Sequence, residues 1–242
     1  MKHFLLFVLL APLSVGGQEL RVLSGGAAKS LVEPLAASFK GAAVKVDYQP
    51  MGRLVQTLAS GEKVDLAIVT SEVLATLERD GRVQRGAKPI ARVGIGVAVN
   101  EKAPLPDIST VEAFKRALLA AKSVVYIDPK VGTSGKHVAE VLSRLGIADA
   151  VNAKATLAQG GYIVEPVGRG EIELGIHQIS EILPVPGIEL VGPLPSEIQT
   201  FIVFTAAIPA NAKEPTAAKA LVDFLTSPRA TSVLKSKGLE QS

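Results

Sequence analysis

The chain has 242 residues, of which 48% are hydrophobic and 20% are charged, a balance typical of a folded globular protein with one domain or two lobes. A formal net charge of +3 without long basic runs, the low aromatic content of 4% and the absence of Trp argue against nucleic-acid binding. The absence of Cys excludes disulfide bonds, and with only three His residues we expect neither a metal site nor a cofactor.

The first 17 residues have the pattern of a secretory signal peptide. A positively charged start precedes the apolar run Phe4–Leu13, which is too short to span a bilayer as a helix, and the small residues Ser14–Gly17 offer a cleavage site. An N-terminal core strand or helix is the alternative interpretation. Since no Cys stands at the cleavage site to carry a lipid anchor, we expect a soluble, exported protein in a bacterial periplasm.

Apolar runs and helical periodicity alternate along the rest of the chain. The predicted strands are Leu20–Leu23, Val44–Tyr48, Asp65–Val69, Ile90–Val99, Ser123–Ile127, Leu174–His177, Gly187–Val191 and Thr200–Ile208. The predicted helices are Ala27–Phe39, Arg53–Ala59, Glu72–Arg79, Thr110–Ala121, Ser134–Leu145, Gly160–Val167, Ala217–Leu225 and Ala230–Lys237. This alternation predicts an α/β protein with mostly parallel sheets flanked by helices.

Two strands are long enough to cross between lobes. Ile90–Val99 and Thr200–Ile208 enclose a middle block of the chain, which predicts two lobes joined by two crossover strands. Residues 18–92 and 199–242 would then form the first lobe, and residues 93–198 the second. Domain closure about such a hinge traps ligands in other proteins.

Four loops with small or polar residues precede helices. They are Ser24-Gly25-Gly26, Met51-Gly52-Arg53, Gly132-Thr133-Ser134-Gly135 and Gln159-Gly160-Gly161. Each loop taken singly is better explained as an ordinary turn between a strand and a helix. In open α/β sheets, however, such loops lie at the carboxyl ends of strands, and helix N-termini bind anions. Their occurrence in both lobes therefore predicts an anion site in the cleft.

Other polar residues extend this predicted site. Arg53 could hold a ligand carboxylate through two hydrogen bonds, or it could be a solvated surface residue. His177 and Gln178 end a buried strand, where His177 could donate to a ligand, act as a base or be a core histidine bonded to the backbone. Thr70 could contact ligand, although a cap of the following helix is the simpler role. We expect Ser24, Arg53, Thr133, Ser134 and His177 to be the main contacts.

The chain resembles the molybdate-type group of bacterial extracellular solute-binding proteins. The segments LRVLSGGA, EKVDLAIVT, YIDPKVGTSGKH and GEIELGIHQISEILPVPGIELVGPLP carry the resemblance, which covers nearly the whole chain after residue 17. It implies the two-lobed class II periplasmic binding-protein fold, a small anionic ligand, the membrane subunits of an ABC importer as partners, and a monomer. By the resemblance, Ser24 falls in the first oxyanion-binding loop.

Two departures from that group bear on the ligand. Arg53 replaces a small hydroxyl residue, and the ligand-contacting Tyr of the group is absent near His177 and Gln178. The resemblance, so modified, implies an organic di- or tricarboxylate better than molybdate. A divergent branch on the same fold includes an exported aconitate isomerase, so the alternative function is an enzyme that uses His177 as a base; no decisive acid/base pair is evident.

Two other functions fit the sequence less well. A sensor or chaperone module without a small ligand is at odds with the four loops, and the signal peptide and the lack of DNA-binding helices argue against a LysR-type regulator.

Overall fold

The computed structural model describes residues 19–242, so the predicted signal peptide at residues 1–17 lies outside the described residues. Strands and helices alternate along this part of the chain. The strands are β1 (Glu19–Gly25), β2 (Ala43–Gln49), β3 (Leu66–Thr70), β4 (Lys88–Asn100), β5 (Val124–Ile127), β6 (Ala155–Ala158), β7 (Leu174–Gln178), β8 (Ile188–Pro193) and β9 (Phe201–Ala207). The helices are α1 (Lys29–Ser38), α2 (Met51–Ala59), α3 (Ser71–Arg79), α4 (Val111–Ala120), α5 (Thr133–Arg144), α6 (Ala148–Asn152), α7 (Glu165–Gly168), α8 (Ile179–Ile182), α9 (Pro215–Leu225) and α10 (Pro228–Ser236).

Two groups of parallel strands are joined by antiparallel ones. In the first group β1 pairs in parallel with β2 and β3, and β9 runs antiparallel to β3. In the second group β5 pairs in parallel with β6 and β7, while β4 runs antiparallel to β7 and β8. We call β1–β3, β9 and helices α1–α3, α9 and α10 lobe 1, and β5–β8 with α4–α8 lobe 2.

Strand β4 passes from lobe 1 to lobe 2. Its first part pairs with β9 over residues 88–94, and its second part pairs with β7 over residues 95–99. The continuous strand order is β2-β1-β3-β9-β4-β7-β5-β6. The predicted α/β architecture with flanking helices is therefore confirmed, and the antiparallel pairings of β4 and β9 make the sheet mixed rather than mostly parallel. The domain boundaries at 92/93 and 198/199 stay a prediction.

The core consists mainly of aliphatic side chains from the central strands. All five residues of β3 are buried, as expected for a strand covered on both faces.

Polar residues end several strands and begin the next helix. Thr70 caps α3 by accepting a hydrogen bond from the backbone N–H of Val73 at 3.5 Å, which supports its predicted capping role. Thr110 caps α4 in the same way, accepting from Ala113 at 3.1 Å.

The predicted helix Gly160–Val167 is wrong. The chain forms strand β6 just before it, and only Glu165–Gly168 is helical. The backbone φ angles of Gly160 and Gly161 are 136° and 79°, which lie outside the helical region and place a loop there. The first helix also differs from expectation, because a 3₁₀ turn over Gly26–Ala28 precedes α1.

Candidate functional site

A cavity of about 240 Å³ lies between the two lobes. It sits where strands β1, β3, β5 and β7 end, which is the edge at which open α/β sheets bind ligands. All four predicted loops contribute to its wall, through Gly26, Met51, Gly132–Ser134 and Gln159–Gly161. Repeated strand–loop–helix units from both lobes thus face one cavity.

Seven residues predicted to bind ligand line this cavity. They are Gly26, Thr70, Thr133, Ser134, Gly160, His177 and Gln178. The other predicted residues, Ser24, Gly25, Gly52, Arg53 and Gly135, are not part of the wall. The structure therefore brings all four loops to the cavity, but in some loops the residues that line it differ from those predicted.

Ser24 and Gly25 lie behind the wall. Ser24 is 0% exposed, and its hydroxyl donates to the carbonyl oxygen of Gly25 at 3.1 Å. A Cβ on Gly25 would overlap the terminal methyl group of Met51, so this glycine leaves room for a cavity-lining side chain. Both residues support the loop from within the fold, and neither presents a group to the cavity.

Helix α2 places Arg53 and Gly52 away from the cavity. The helix begins at Met51, two residues earlier than predicted, so Arg53 lies within its first turn and is exposed. The structure does not bring the predicted carboxylate contact, Arg53, to the site. Gly135 is also absent from the wall, because it packs against the end of β5: a Cβ there would overlap the carbonyl oxygen of Ile127.

The positive charge in the cavity wall belongs to Lys29, which the sequence analysis did not identify. Lys29 opens α1, and its ammonium group lies 5.6 Å from the ring centroid of Tyr48 and 5.9 Å from that of Tyr162. Tyr48 belongs to lobe 1 and Tyr162 to lobe 2, so Lys29 is placed between aromatic rings of both lobes. Among residues 19–242, no carboxylate lies within 4.0 Å of its ammonium group.

His177 stands between two polar side chains. Its ring is 1% exposed, with Nδ1 at 3.5 Å from the hydroxyl of Ser134 and Nε2 at 2.8 Å from Oε2 of Glu181. The contact with Glu181 is close but poorly aligned with the ring, so it is an ion pair when the imidazole is protonated rather than a linear hydrogen bond. Glu181, which the sequence analysis also missed, is 7% exposed and lines the cavity.

Three buried polar atoms of the cavity wall have no hydrogen-bond partner among the described residues. They are the hydroxyl of Tyr48, Nε2 of His177 and Oε1 of Gln178, and the last residue is only 8% exposed. Burial, with Glu33 and Tyr162 nearby, raises the pKa of the Tyr48 phenol above its ordinary value, so this hydroxyl remains a donor. Unpaired buried polar groups cost free energy, and a polar ligand in the cavity would satisfy the Tyr48 hydroxyl and Oε1 of Gln178, whereas Nε2 of His177 faces Glu181.

The signals for the missed residues are weak in the sequence. Lys29 follows a loop, and Tyr48 ends a predicted strand. Many surface residues have such positions. Glu181 lies four residues after His177, a spacing that pairs side chains only if both are helical or adjacent to a helix. Within residues 19–242, no cluster of three or more His, Asp or Glu side chains could hold a metal ion.

Comparison with known protein families shows to which family this chain belongs. A family model described as bacterial extracellular solute-binding protein matches residues 20–240, and the chain belongs to this family. Its members are the solute-binding components of ABC importers and act outside the cytoplasm. In the described part of the chain, no helix has the length and apolar character needed to cross a bilayer.

Particular relatives carry two different names. Aconitate isomerase of a Pseudomonas species is 32% identical over 231 residues, which cover 91% of this chain and 87% of that protein. The molybdate-binding protein ModA of Azotobacter vinelandii is 26% identical over 218 residues, covering 86% and 84%. The solved structure of the periplasmic molybdate-binding protein of A. vinelandii has a TM-score of 0.79 at 19% identity, covering 92% of this chain and 99% of that one. The fold is thus that of the class II periplasmic binding proteins, as predicted.

Proposed function

We propose that this protein binds a small organic di- or tricarboxylate in the cavity between its lobes. The unpaired ammonium group of Lys29 in the wall of this cavity carries the proposal, because a carboxylate is its natural partner there. The N-terminus of α5 at Thr133, which lines the cavity, adds a favourable interaction with negative charge. Ligand-binding residues in this proposal are Lys29, Tyr48, Thr133 and Gln178, while Ser134 faces His177.

The composition of the cavity wall favours a ligand with a carbon skeleton. Apolar side chains make up much of the wall: Pro50, Met51, Ile127, Val131 and Phe204. Ligand sites for organic molecules combine such apolar surface with a few polar groups that fix orientation. A bare tetrahedral oxyanion would leave this apolar surface without a partner.

A second function, proton transfer on a bound tricarboxylate, is favoured by one specific observation. The buried His177–Glu181 pair places an acid/base system inside the cavity wall. The relative named aconitate isomerase supports the same direction. The receptor function needs only binding and release to the membrane subunits of an ABC importer, whereas the isomerase function needs turnover.

A thermal-shift screen of the mature protein tests the ligand class first. We expect di- and tricarboxylates to raise the melting temperature, and molybdate, tungstate, sulfate and phosphate to leave it unchanged. A ligand at a hundred times its Kd stabilises by about 2.7 kcal/mol, which corresponds to roughly 5–10 °C for a chain of this size. A shift with tetrahedral oxyanions alone would contradict the proposal. Incubation of each stabilising carboxylate with catalytic amounts of protein, followed by proton NMR, then separates binding from isomerisation.

A further inference from the structure

We infer that Glu181 is the catalytic base of this site, and that His177 and Ser134 are positioning residues that hold it. The inference rests on the second function proposed above, in which the cavity isomerises an unsaturated tricarboxylate. It reverses the expectation from the sequence, in which His177 was the candidate base. The reversal follows from which atoms of the pair can reach a ligand.

Both ring nitrogens of His177 face protein groups. Nδ1 lies 3.5 Å from the hydroxyl of Ser134, and Nε2 lies 2.8 Å from Oε2 of Glu181. A ligand atom has no room between atoms at these separations. The ring is also 1% exposed, so His177 can act on a substrate only through Glu181.

Glu181 has the opposite arrangement. Its Oε2 faces His177, while its Oε1 accepts no hydrogen bond from any described residue and lies toward the loop at Gly26. A Cβ on Gly26 would stand 3.2 Å from Oε1, so the glycine leaves space beside this oxygen. Glu181 and Gly26 both line the cavity. Oε1 is therefore the free basic atom of the pair.

A hydrogen bond of the neighbouring residue holds the helix that carries the proposed base. Glu181 lies on the short helix α8, and the neighbouring Ser180 donates its hydroxyl to the carbonyl oxygen of Ala27 at 2.8 Å. This contact ties α8 of lobe 2 to the loop before α1 of lobe 1. Gly26 and Lys29 belong to the same segment of lobe 1, so the base and the ammonium group are positioned through one connection.

The proposed step is a proton shift along an allylic system. Glu181 Oε1 accepts a proton from the saturated carbon next to a carboxylate; the C–H bond breaks and its electron pair forms the new double bond. The former π pair takes the proton back from Glu181 at the other end of the three-carbon unit. The double bond has then moved, Glu181 is again ionised, and no oxidant or reductant is consumed. Lys29 compensates the negative charge that spreads onto the substrate carboxylates during the shift.

The test compares variants by binding and by turnover. Conversion of trans-aconitate to cis-aconitate is followed by proton NMR, and dissociation constants are measured by calorimetry. We expect Glu181→Gln to bind trans-aconitate with a Kd near that of wild type and to convert it at least ~10²-fold more slowly, because general acid–base catalysis contributes that much or more. Glu165→Gln, at an exposed side chain of α7 outside the cavity, is the matched control and should convert normally.

The positioning residues predict a different signature. His177→Gln should lower kcat with little change in KM, since the ring orients Glu181 and does not touch the substrate. His137→Gln is the control for His177→Gln, because His137 lies outside this cavity. Its Nε2 lies within hydrogen-bonding distance, 2.8 Å, of the carbonyl oxygen of Ile198. If Glu181→Gln does not fold, Glu181→Asp keeps a carboxylate, draws it back from the substrate and should slow conversion.

The possible results separate the proposals. Conversion by Glu181→Gln at the wild-type rate overturns the assignment of the base and leaves the isomerase function standing. Tight binding of trans-aconitate by wild type without conversion overturns both the base and the isomerase function, and leaves carboxylate binding standing. Absence of trans-aconitate binding by wild type overturns the base and the isomerase function, whereas carboxylate binding is overturned only if no di- or tricarboxylate of the thermal-shift screen binds.

Discussion

The ammonium group of Lys136 lies 2.6 Å from Oε1 of Glu72, and this ion pair joins α5 of lobe 2 to α3 of lobe 1. The pair stands beside the ligand cavity, because Thr70 and Thr133, which precede Glu72 and Lys136, both line it. The pair and the placement of Lys29 between Tyr48 and Tyr162 link the two lobes across the cleft. We call the arrangement in which these contacts span the cleft the closed arrangement; movement of the lobes apart about a hinge would break both contacts.

Replacement of Lys136 by Ala should weaken ligand binding modestly. The pair is exposed, so it stabilises the closed arrangement only weakly, and we expect at most about a fivefold rise in Kd. The difference from wild type should shrink at high salt, since salt screens exposed charges. Calorimetry at low and high salt measures this. Lys219→Ala, whose pair with Asp223 lies within lobe 1, is the control and should bind like wild type.

Replacement of Lys29 by Met should greatly weaken carboxylate binding while the fold persists. Charged hydrogen bonds contribute about 1.5–3 kcal/mol, so the Kd should rise roughly 10- to 150-fold. Arg53→Ala is the matched control: it also removes a cation from the first turn of a helix, but one that is exposed and outside the cavity. Titration of both variants with the same tricarboxylate shows whether Lys29 or Arg53 contacts the ligand. Loss of binding in Arg53→Ala alone would restore the contact expected from the sequence.

The contrast between Lys29 and Arg53 shows where sequence reasoning succeeds and where it stops. Hydrophobic runs and glycine-bearing loops predicted most strands and helices, because burial and turn geometry are local properties. Which of two cations near helix N-termini faces the cleft depends on where each helix begins. Helix α2 begins two residues earlier than predicted, and α1 begins three residues after Gly26, beyond a 3₁₀ turn. When a helix begins at a different residue than predicted, the side chains of its first turn face a different direction.

The His177–Glu181 pair could be predicted only in part. His177 was a candidate because it ends a buried strand, but its partner depends on the chain turning at once into α8 after Gln178. Ser134 reaches Nδ1 of His177 through the packing of α5 against β5 and β7, at a separation of 43 residues. Long-range packing of this kind has no signature in a single sequence.

Tyr48→Phe should affect stability and binding in opposite directions. The Tyr48 hydroxyl is buried without a partner among the described residues, so its removal relieves a desolvation cost and should raise the melting temperature of the ligand-free protein. If the hydroxyl donates to a bound carboxylate, the same change weakens binding by about tenfold, equivalent to ~1.5 kcal/mol. Melting curves with and without ligand measure both effects.

Tyr126→Phe provides the control for that prediction. Its hydroxyl donates to Oδ1 of Asn152 at 2.6 Å, and Tyr126 does not line the cavity. The change should destabilise the protein by about 1 kcal/mol and leave the Kd unchanged. A lower melting temperature in Tyr48→Phe, or unchanged binding, would show that the Tyr48 hydroxyl has a structural partner instead of a ligand.

Two glycines that the sequence assigned to the ligand site should respond in opposite ways to Ala. Gly135 and Gly52 both lie in the first turn of a helix, but a Cβ on Gly135 would overlap the backbone of Ile127, whereas a Cβ on Gly52 meets nothing within 4 Å. Overpacking costs about 1–3 kcal/mol, so Gly135→Ala should lower the melting temperature by roughly 2–12 °C. Gly52→Ala should raise stability by up to ~1 kcal/mol, because Ala favours the helix.

Equal binding by Gly52→Ala and wild type would place Gly52 outside ligand contact. A Gly135→Ala protein as stable as wild type would mean that α5 can move away from β5, and the close approach that positions Ser134 beside His177 would then not be required by the fold.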